Sequence, residues 1–426
     1  MGKTFLPKHR PEFVESGELC QKISVALAIS ITPYMREKGT KLIRNQNIKP
    51  NYFDSSSLVY IDDEFAKSQN SKRVQFGDVI SVRTGSNIGD TCIVPDYFDG
   101  ALTFTTLIAR PNKQLLNSNY LSQYMNSSLG RSEVNRLMAG GGKGNLNSGE
   151  LKRYLVLLLP IVEQRKIAEI LGTWDSAIAK TEKLIIAKQK RKKALVQSFF
   201  THGKQVTSSN CVYQSFQFKD IVENYIDYRG RTPLKISMQW GGGEIKALSA
   251  NNVQMGFINL DKECYLGSEE LYKKWMVNGD CEPGDILLTT EAPLGNVAQI
   301  PDEEKYILSQ RVILIKPKVS IIHKEYLFQF MMSDFFQTEL QRNSSGSTAV
   351  GIQRKRLDKI TVIIPDMEAQ KKIASILYAA DIEIRKQSQQ LELLKIQKRG
   401  LMQKLLTGEW RVKIEETATQ LTEVTE

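Results

Sequence analysis

The chain has 426 residues, of which 41% are hydrophobic and 25% charged; this is ordinary for a globular protein and enough for roughly two to four domains. Its apolar runs fall far short of the roughly 20 residues that span a bilayer, and no signal-peptide segment is visible. Five scattered cysteines without a CxxC pair predict reduced thiols and a cytoplasmic location. The net charge of +11 favours a polyanionic partner.

The first half of the chain reads as a mixed α/β domain, which we place at residues 1–160. Short β-branched runs punctuated by Gly, Pro and Asn predict strands and turns. They include a strand over Asp78–Val82 and an apolar strand that begins near Tyr154 and ends at Pro160. The stretch Tyr120–Met138 has the apolar spacing of one amphipathic helix.

Two polar loops of this half are candidates for contact with nucleic acid. One follows the strand Asp78–Val82 directly, and the other spans Gly140–Ser148. Arg, Lys, Asn, Ser and Thr side chains can bond to base edges or phosphates, and glycines let a loop approach a groove closely. The candidate DNA-binding residues here are Arg83, Thr84, Ser86, Asn87, Lys143, Asn145 and Asn147.

A long helix is predicted next, within residues 161–203. The segment Gln164–Thr201 has no Pro and a single Gly, and its apolar positions recur in steps of four and three, as in a coiled-coil seam. A helix of this length is about 57 Å long. The seam positions are Ile167, Leu171, Trp174, Ile178, Thr181, Ile185, Lys188, Lys192, Leu195 and Phe199.

The surroundings of this helix are basic. Between Leu151 and Lys204 there are twelve Lys and Arg residues against four Asp and Glu. The run Lys188–Lys193 by itself is typical of a solvated helix face. Lysines within the seam weaken it, so we expect the helix to splay from its partner there or to meet another subunit.

The second half of the chain repeats the first at an offset of 206 residues. Gln370–Thr407 is identical to Gln164–Thr201 at 13 of 38 positions. Because the same narrow seam recurs, the natural partner of each long helix is the other copy. The second seam comprises Ile373, Leu377, Ala380, Ile384, Gln387, Leu391, Leu394, Lys398, Leu401 and Leu405.

Weaker similarity continues upstream, so we predict a second mixed α/β domain at 204–364, a second spacer helix at 365–410 and a polar tail at 411–426. Tyr326–Arg342 matches the predicted helix of the first half. Polar loops recur at Tyr228–Pro233, Asn343–Thr348 and Gln353–Arg356. The candidate DNA-binding residues are Arg229, Arg231, Thr232, Arg342, Asn343, Ser345, Arg354, Lys355 and Arg356.

Any one of these loops is more often an ordinary surface turn than a reading element. Four of them, with Asn343–Thr348 and Gln353–Arg356 counted as one, at matched positions on a basic, duplicated chain favour DNA. We predict no catalytic, metal or cofactor site in this chain. The string GGGKGN lacks the Ser or Thr of a nucleotide-binding loop, no NPPY-type tetrapeptide occurs, and the three histidines are far apart. Glu244-Ile-Lys246 resembles part of a nuclease site but lacks the preceding acidic element.

The whole layout resembles the specificity (S) subunits of type I restriction–modification systems. The resemblance rests on the alternation of variable domain and spacer helix, and on several motifs. These are the junctions LPIVEQRKIAEIL and IPDMEAQKKIASIL, the helix ends KKALVQSFFTHG and KRGLMQKLLTGEWRV, and the segment DYRGRTP.

The resemblance implies an α/β fold of two target recognition domains separated by two antiparallel spacer helices. Each domain would read one half of an asymmetric bipartite DNA site, and the helices would set the spacing. Two modification methyltransferase subunits using S-adenosylmethionine would dock on the helices, and restriction subunits would supply ATP- and Mg-dependent translocation. The helix-pairing and docking residues would be Ile167, Leu171, Trp174, Ile178, Ile185, Leu195, Ile373, Leu377, Ile384, Leu391 and Leu401.

Two alternatives stay open at this point. A coiled-coil protein-interaction scaffold without sequence-specific DNA binding would show no salt-dependent affinity for duplex DNA. An autonomous methyltransferase or nuclease would act without partner subunits, but the missing motifs weigh against it.

Overall fold

The computed structural model describes residues 12–139, 144–201, 213–346 and 350–413. The chain divides into two compact units: residues 1–182 with 389–426 form the first, and residues 183–388 form the second. Each unit therefore contains one globular half of the chain together with a portion of each long helix. In the described part of the chain, no helix has the length and apolar character needed to cross a membrane.

The first globular half is a mixed α/β structure that ends in a long helix. Its strands are β1 (Glu12–Glu15), β2 (Cys20–Val25), β3 (Met35–Arg36), β4 (Thr40–Ile43), β5 (Ile48–Lys49), β6 (Tyr52–Phe53), β7 (Val59–Ile61), β8 (Val79–Val82), β9 (Thr91–Ile93), β10 (Leu102–Thr103), β11 (Thr106–Pro111) and β12 (Leu155–Leu158). Its helices are α1 (Ser16–Leu19), α2 (Asp63–Ser68), α3 (Ser118–Asn126), α4 (Ser128–Ala139), α5 (Ser148–Lys152) and α6 (Ile161–Thr201).

The second globular half has the same organisation. Its strands are β13 (Tyr213–Gln217), β14 (Val222–Asp227), β15 (Ile245–Leu248), β16 (Val253–Gln254), β17 (Phe257–Ile258), β18 (Tyr265–Gly267), β19 (Ile286–Thr290), β20 (Leu294–Gln299), β21 (Tyr306–Leu308), β22 (Val312–Pro317) and β23 (Thr361–Pro365). Its helices are α7 (Glu269–Trp275), α8 (Lys324–Met331), α9 (Asp334–Arg342), α10 (Arg354–Leu357) and α11 (Met367–Leu406).

The duplication extends to the sheets, whose order the sequence did not predict. An antiparallel sheet in the order β2-β11-β8-β9 has its counterpart in β14-β22-β19-β20. The parallel pair β4–β10 matches β15–β21, and the antiparallel pair β1–β12 matches β13–β23. The predicted fold class, a duplicated α/β protein with two long helices, is confirmed.

The hydrophobic core of each unit includes both long helices. In the first unit it contains Ile167 and Leu171 from the start of α6 and Leu405 from the end of α11. In the second unit it contains Phe199 from the end of α6 and Ile373 from the start of α11. The helices are therefore antiparallel within each unit. All ten predicted seam positions of each helix are buried or half-buried.

Of the two expectations for the seam lysines, the one that the helices splay there is wrong, and the one that they meet another subunit stays a prediction. In the second unit, Lys192 Nζ lies 2.6 Å from Asp381 Oδ1, and Lys188 pairs with Glu383. In the first unit, Lys398 Nζ lies 2.5 Å from Asp175 Oδ1. Lysine stems cover apolar seam surface while their ammonium groups reach acids on the opposite helix, so these positions tie the helices together.

The single helices predicted at Tyr120–Met138 and Tyr326–Arg342 are also wrong, because each is two helices. The break lies at Ser127 between α3 and α4, and at Ser333 between α8 and α9. The Ser127 hydroxyl donates to Tyr124 O at 2.6 Å and accepts from the Gly130 N–H at 3.1 Å. Such local hydroxyl bonds replace helical backbone bonds, which ends one helix and caps the next.

A buried glutamine fastens the start of each long helix to the globular part of its own unit. Gln164 Oε1 accepts from the Asn117 N–H at 2.8 Å, and Gln164 Nε2 donates to the carbonyls of Leu115 and Leu159 at 2.9 and 2.7 Å. In the second unit, Gln370 makes the equivalent three bonds with His323, Ile321 and Pro365. Since a buried amide must satisfy its donors and acceptor, these bonds fix where each helix begins.

Candidate DNA interface

In each unit the loop that follows one inner strand of the sheet meets the segment before a short helix. The loop after β8 meets the segment before α5, where the Leu146 N–H donates to the Arg83 carbonyl at 3.1 Å. The loop after β19 meets the segment before α10, where the Ile352 N–H donates to the Thr290 carbonyl at 3.0 Å. Arg83 and Thr290 therefore occupy equivalent positions on equivalent strands. The scaffold is shared and the side chains differ.

The loop after β8 presents its middle to solvent. Ser86 and Asn87 are exposed, while Arg83 and Thr84 are half-buried. Gly85 has φ +97 with no atom near its absent Cβ, which suits a tight and open loop tip. Within the described residues, Arg83 Nε is buried without a hydrogen-bond partner.

The second loop of the first unit is partly structural. Asn145 is exposed, but Asn147 is the N-cap of α5, where its Oδ1 accepts from the Glu150 N–H at 2.9 Å. The Glu150 carboxylate in turn accepts from the Asn147 N–H at 2.7 Å. This capping box commits the Asn147 side chain to helix formation. Lys143 lies outside the described residues.

Sequence reasoning missed Arg44 and Asn45, which follow β4. Asn45 Nδ2 lies 3.4 Å from the Thr84 carbonyl, beside the loop after β8. Arg44 Nε and Asn45 Oδ1 are buried without partners in the described part of the chain. The available signal was one shared asparagine after equivalent strands, Asn47 and Asn252. Asn47 Oδ1 accepts from the Arg44 N–H at 2.9 Å, as Asn252 Oδ1 does from the Ser249 N–H at 3.2 Å.

In the second unit, a cleft of about 700 Å³ joins three loops that the sequence singled out separately. We call it the β14–β19 cleft, because it lies at the ends of those strands. It contains Arg229 from the loop after β14, Ser345 from the loop after α9, and Arg354 from α10. The backbone of Ser345 exchanges two hydrogen bonds with Gly351 beside the cleft, at 2.9 and 3.0 Å.

Arg229 is held firmly within the cleft. Its Nε donates to Asp227 Oδ1 at 2.9 Å, its Nη2 to Asp227 Oδ2 at 2.5 Å, and its Nη1 to Thr290 Oγ1 at 3.1 Å. Hydrogen bonding to Asp227 raises the pKa of Arg229. Burial alone would raise the pKa of Asp227, but hydrogen bonds from Arg229 outweigh it and lower that pKa. Both groups are therefore charged.

Arg354 lies at the same cleft, with its guanidinium carbon 4.4 Å from the centre of the Tyr225 ring. The Tyr225 hydroxyl donates to Asp358 at 2.8 Å, which fixes the ring. Cation–π contact of this kind orients a guanidinium without consuming its N–H donors. Lys355, the next residue of α10, is exposed.

Other predicted residues bond within the fold. Arg231 donates to the carbonyls of Lys274 and Trp275 at the end of α7, at 2.8 and 3.1 Å. Arg342 pairs with Glu339 at 2.7 Å, and Asn343 Nδ2 donates to the Glu339 carbonyl at 2.8 Å. The remaining two are Thr232, half-buried before the turn at Pro233, and Arg356, which donates to the Ser344 carbonyl at 3.2 Å.

A second cleft of the same unit, about 420 Å³ in volume, was also missed. It lies beside the loop after β15, at the position equivalent to Arg44 and Asn45 in the first unit. Its polar lining comprises Ser249, Asn251, Gln254, Lys262, Asn296, Gln310 and Arg311. Arg311 Nε lies 3.6 Å from Glu291 Oε1, so the two clefts adjoin at Glu291.

Among the residues that the structure describes, no group of three or more His, Cys, Asp and Glu could hold a metal ion. The described cysteines are all free thiols. Burial raises the pKa of Cys20 and of Cys92 to about 12, so these two thiols are unreactive at neutral pH.

Comparison with known proteins identifies the scaffold. The family model for the type I restriction modification DNA specificity domain matches twice, at residues 12–188 and 212–394. The chain is 27% identical over 401 residues to the type I restriction enzyme MjaVIII specificity subunit of Methanocaldococcus jannaschii, covering 89% of this chain and 91% of that protein.

Two solved structures share the fold. One is the S subunit of a type I restriction-modification system from M. genitalium, with TM-score 0.58, 13% identity, and coverage of 95% of this chain and 99% of that one. The other comes from work on complex assembly and conformational transition of the type I R-M system, with TM-score 0.52, 16% identity, and coverage of 94% and 98%. This chain therefore belongs to the type I restriction modification DNA specificity family and is a DNA sequence-specificity subunit.

Proposed function

We propose that each globular half reads one half of an asymmetric bipartite DNA site. The observation that carries this is the pair of equivalent positions Arg83 and Thr290. Their carbonyls accept the same hydrogen bond on duplicated scaffolds, yet their side chains differ in charge, length and donor count. Base edges are read by side chains, so two domains that share a backbone and differ there should prefer different bases.

We propose that the paired long helices set the spacing and dock two modification methyltransferase subunits. Several large apolar side chains on them are exposed, and exposed apolar surface on a helix favours a partner helix. They are Val162, Leu184, Ile186, Tyr378, Leu393 and Ile396. The seam residues named above pair the two helices within each unit. Their predicted role in docking a methyltransferase subunit stays a prediction.

The chain itself would carry out no catalysis. In this proposal S-adenosylmethionine belongs to the modification subunits, and ATP with Mg belongs to restriction subunits. The DNA would be bound through salt-dependent contacts by the chain's basic residues, which exceed acidic ones by eleven.

Methylome sequencing tests the proposal in a host that expresses this chain with its modification subunit. The expected result is one methylated motif with two different halves at a constant gap. Arg83→Ala should then alter one half and leave the other unchanged. Methylation without a bipartite motif, or equal loss of both halves in Arg83→Ala, would show that the domains do not read separate half-sites.

A binding measurement with purified complex separates this function from a protein-interaction scaffold. Affinity for a duplex that carries the motif should fall linearly with log salt concentration. A complex that assembles normally but shows no salt-dependent duplex affinity would favour the scaffold.

A further inference from the structure

Arg229 in the β14–β19 cleft has a definite set of N–H groups left for a ligand. A guanidinium has five N–H donors. Asp227 occupies one on Nε and one on Nη2, and Thr290 occupies one on Nη1. Among the residues that the structure describes, one N–H on each of the two terminal nitrogens then has no partner. The guanidinium, held by Asp227 and Thr290 and about a third exposed to solvent, thus keeps a donor on each of its two terminal nitrogens.

The charge of the cleft argues against a phosphate as the ligand of Arg229. The Asp227 carboxylate is in bidentate contact with the guanidinium and cancels its charge at short range. A second carboxylate, Glu291, lines the same cleft and lies beside Arg311 of the adjoining cleft, so each of the two acids already has a cationic partner. A phosphate would meet both carboxylates, whereas a neutral base edge would meet only oriented donors and acceptors.

Among the base edges in the major groove, guanine matches the two remaining donors. Guanine presents two acceptors there, O6 and N7, whereas adenine presents one acceptor and one donor. Glu291, the residue after Thr290, supplies an acceptor in the same cleft. An acidic side chain is the group that accepts from the N4 amine of cytosine, the partner of guanine.

The first unit has no counterpart of the Asp227–Arg229 pair. Strand register aligns Leu107–Val25 in the first unit with Ile313–Asp227 in the second. Two residues further on, Leu27 stands at the position of Arg229 and is buried. The feature therefore belongs to the second half of the chain alone.

We propose that Arg229, held by Asp227 and Thr290, reads O6 and N7 of a guanine in the half-site recognised by the second globular half. The inference rests on the proposed function, because it requires that this half reads its own half-site. It adds the identity of one base pair and the residue that selects it.

Methylomes of the wild type and Arg229→Ala, each with the modification subunit, give the first test. The variant should lose discrimination at one position of one half-site, and that position should be G·C in the wild-type motif. The other half-site should be unchanged. Relaxation at an A·T position, or no relaxed position, would overturn the inference while leaving the bipartite motif intact. A wild type without a bipartite motif would instead overturn the proposed function.

Binding to modified duplexes gives the second test, with 7-deazaguanine at the relaxed position. This base lacks the N7 acceptor, so wild-type complex should bind about 5- to 150-fold more weakly. Inosine keeps O6 and N7 and should be tolerated. For Arg229→Ala the 7-deazaguanine duplex should bind no more weakly than the unmodified one. Equal wild-type affinity for the two duplexes would overturn the inference.

Two further variants separate loss of the base contact from general effects on folding or charge. Arg229→Met retains the aliphatic stem and removes only the guanidinium, so it should behave as Arg229→Ala does. Lys273→Ala removes an exposed cation of the same unit and should keep the full motif. If Arg229 contacted a phosphate instead, affinity would fall uniformly across sequences and the salt slope would drop by about one.

Discussion

Lys398 Nζ lies 2.5 Å from Asp175 Oδ1 across the two long helices of the first unit. The second unit repeats the arrangement with Lys192 and Asp381, the residues 206 positions away from each partner. A glutamine of the globular part joins both pairs: Gln123 Nε2 donates to Asp175 Oδ2 at 2.5 Å, and Gln329 Nε2 donates to Asp381 Oδ2 at 2.8 Å. We call each Lys–Asp–Gln triple a node; it joins the two long helices to the globular part of the same unit.

Lys398→Met should destabilise the first unit by about 1–3 kcal/mol, because it leaves a partly buried carboxylate with one donor fewer. Lys395→Met is the matched control. Lys395 pairs with Glu182 at 3.1 Å, but both side chains are more exposed, so its loss should cost less than about 1 kcal/mol. Urea unfolding monitored by hydrogen exchange of α11 measures both. Equal losses in the two variants would contradict the importance of the node.

Two glycines should respond in opposite ways to alanine. A Cβ on Gly130 would lie 2.1 Å from the Tyr124 carbonyl oxygen and 2.7 Å from Met125 Cα, both backbone atoms. Gly130→Ala should therefore lower the free energy of unfolding by at least about 2 kcal/mol. Gly172 in α6 has no atom within 4 Å of such a Cβ, so Gly172→Ala should stabilise by about 1 kcal/mol. Thermal unfolding compares them, and a loss in Gly172→Ala would contradict the helix argument.

Arg231→Ala should affect stability and leave the DNA motif unchanged. The Arg231 guanidinium bonds two carbonyls at the end of α7 and lies 5.6 Å from the Trp275 ring centre. Losing these contacts should cost about 1–3 kcal/mol. Thermal unfolding and a methylome of the same variant measure the two effects. An altered half-site with unchanged stability would assign Arg231 to DNA recognition.

His323 should make the second unit less stable in mild acid. Burial, and then the charge of Lys371, lowers the pKa of His323 below its ordinary 6.5, and its buried Nδ1 has no partner among the described residues. The unfolded state therefore binds more protons as pH falls through 6.5, and stability is lost in that window. His323→Gln should shrink the difference in melting temperature between pH 7.5 and pH 6.0. An unchanged difference would exclude this histidine as its source.

The duplication, the two long helices and their seam could all be predicted from the sequence. These follow from local periodicity, because the spacing of apolar residues fixes one face of a helix whatever the rest of the chain does. All seam positions are accordingly buried or half-buried in the structure. The polar loops were also visible, since Gly, Asn and Arg at strand ends mark turns that carry donors.

The roles of the polar residues, in contrast, depend on the folded chain. Arg229 and Arg231 are neighbours in one RGR string, yet one lines a cleft and the other caps α7, because their acceptors come from different elements. In the sequence the seam lysines look like interruptions of the apolar seam, because the carboxylates that pair with them lie 189 to 223 residues away along the chain. The break at Ser127 depends on Gly130 packing against the backbone of α3. A local pattern fixes a helix face, whereas a hydrogen-bond partner is fixed by which distant segments the fold brings within about 3 Å.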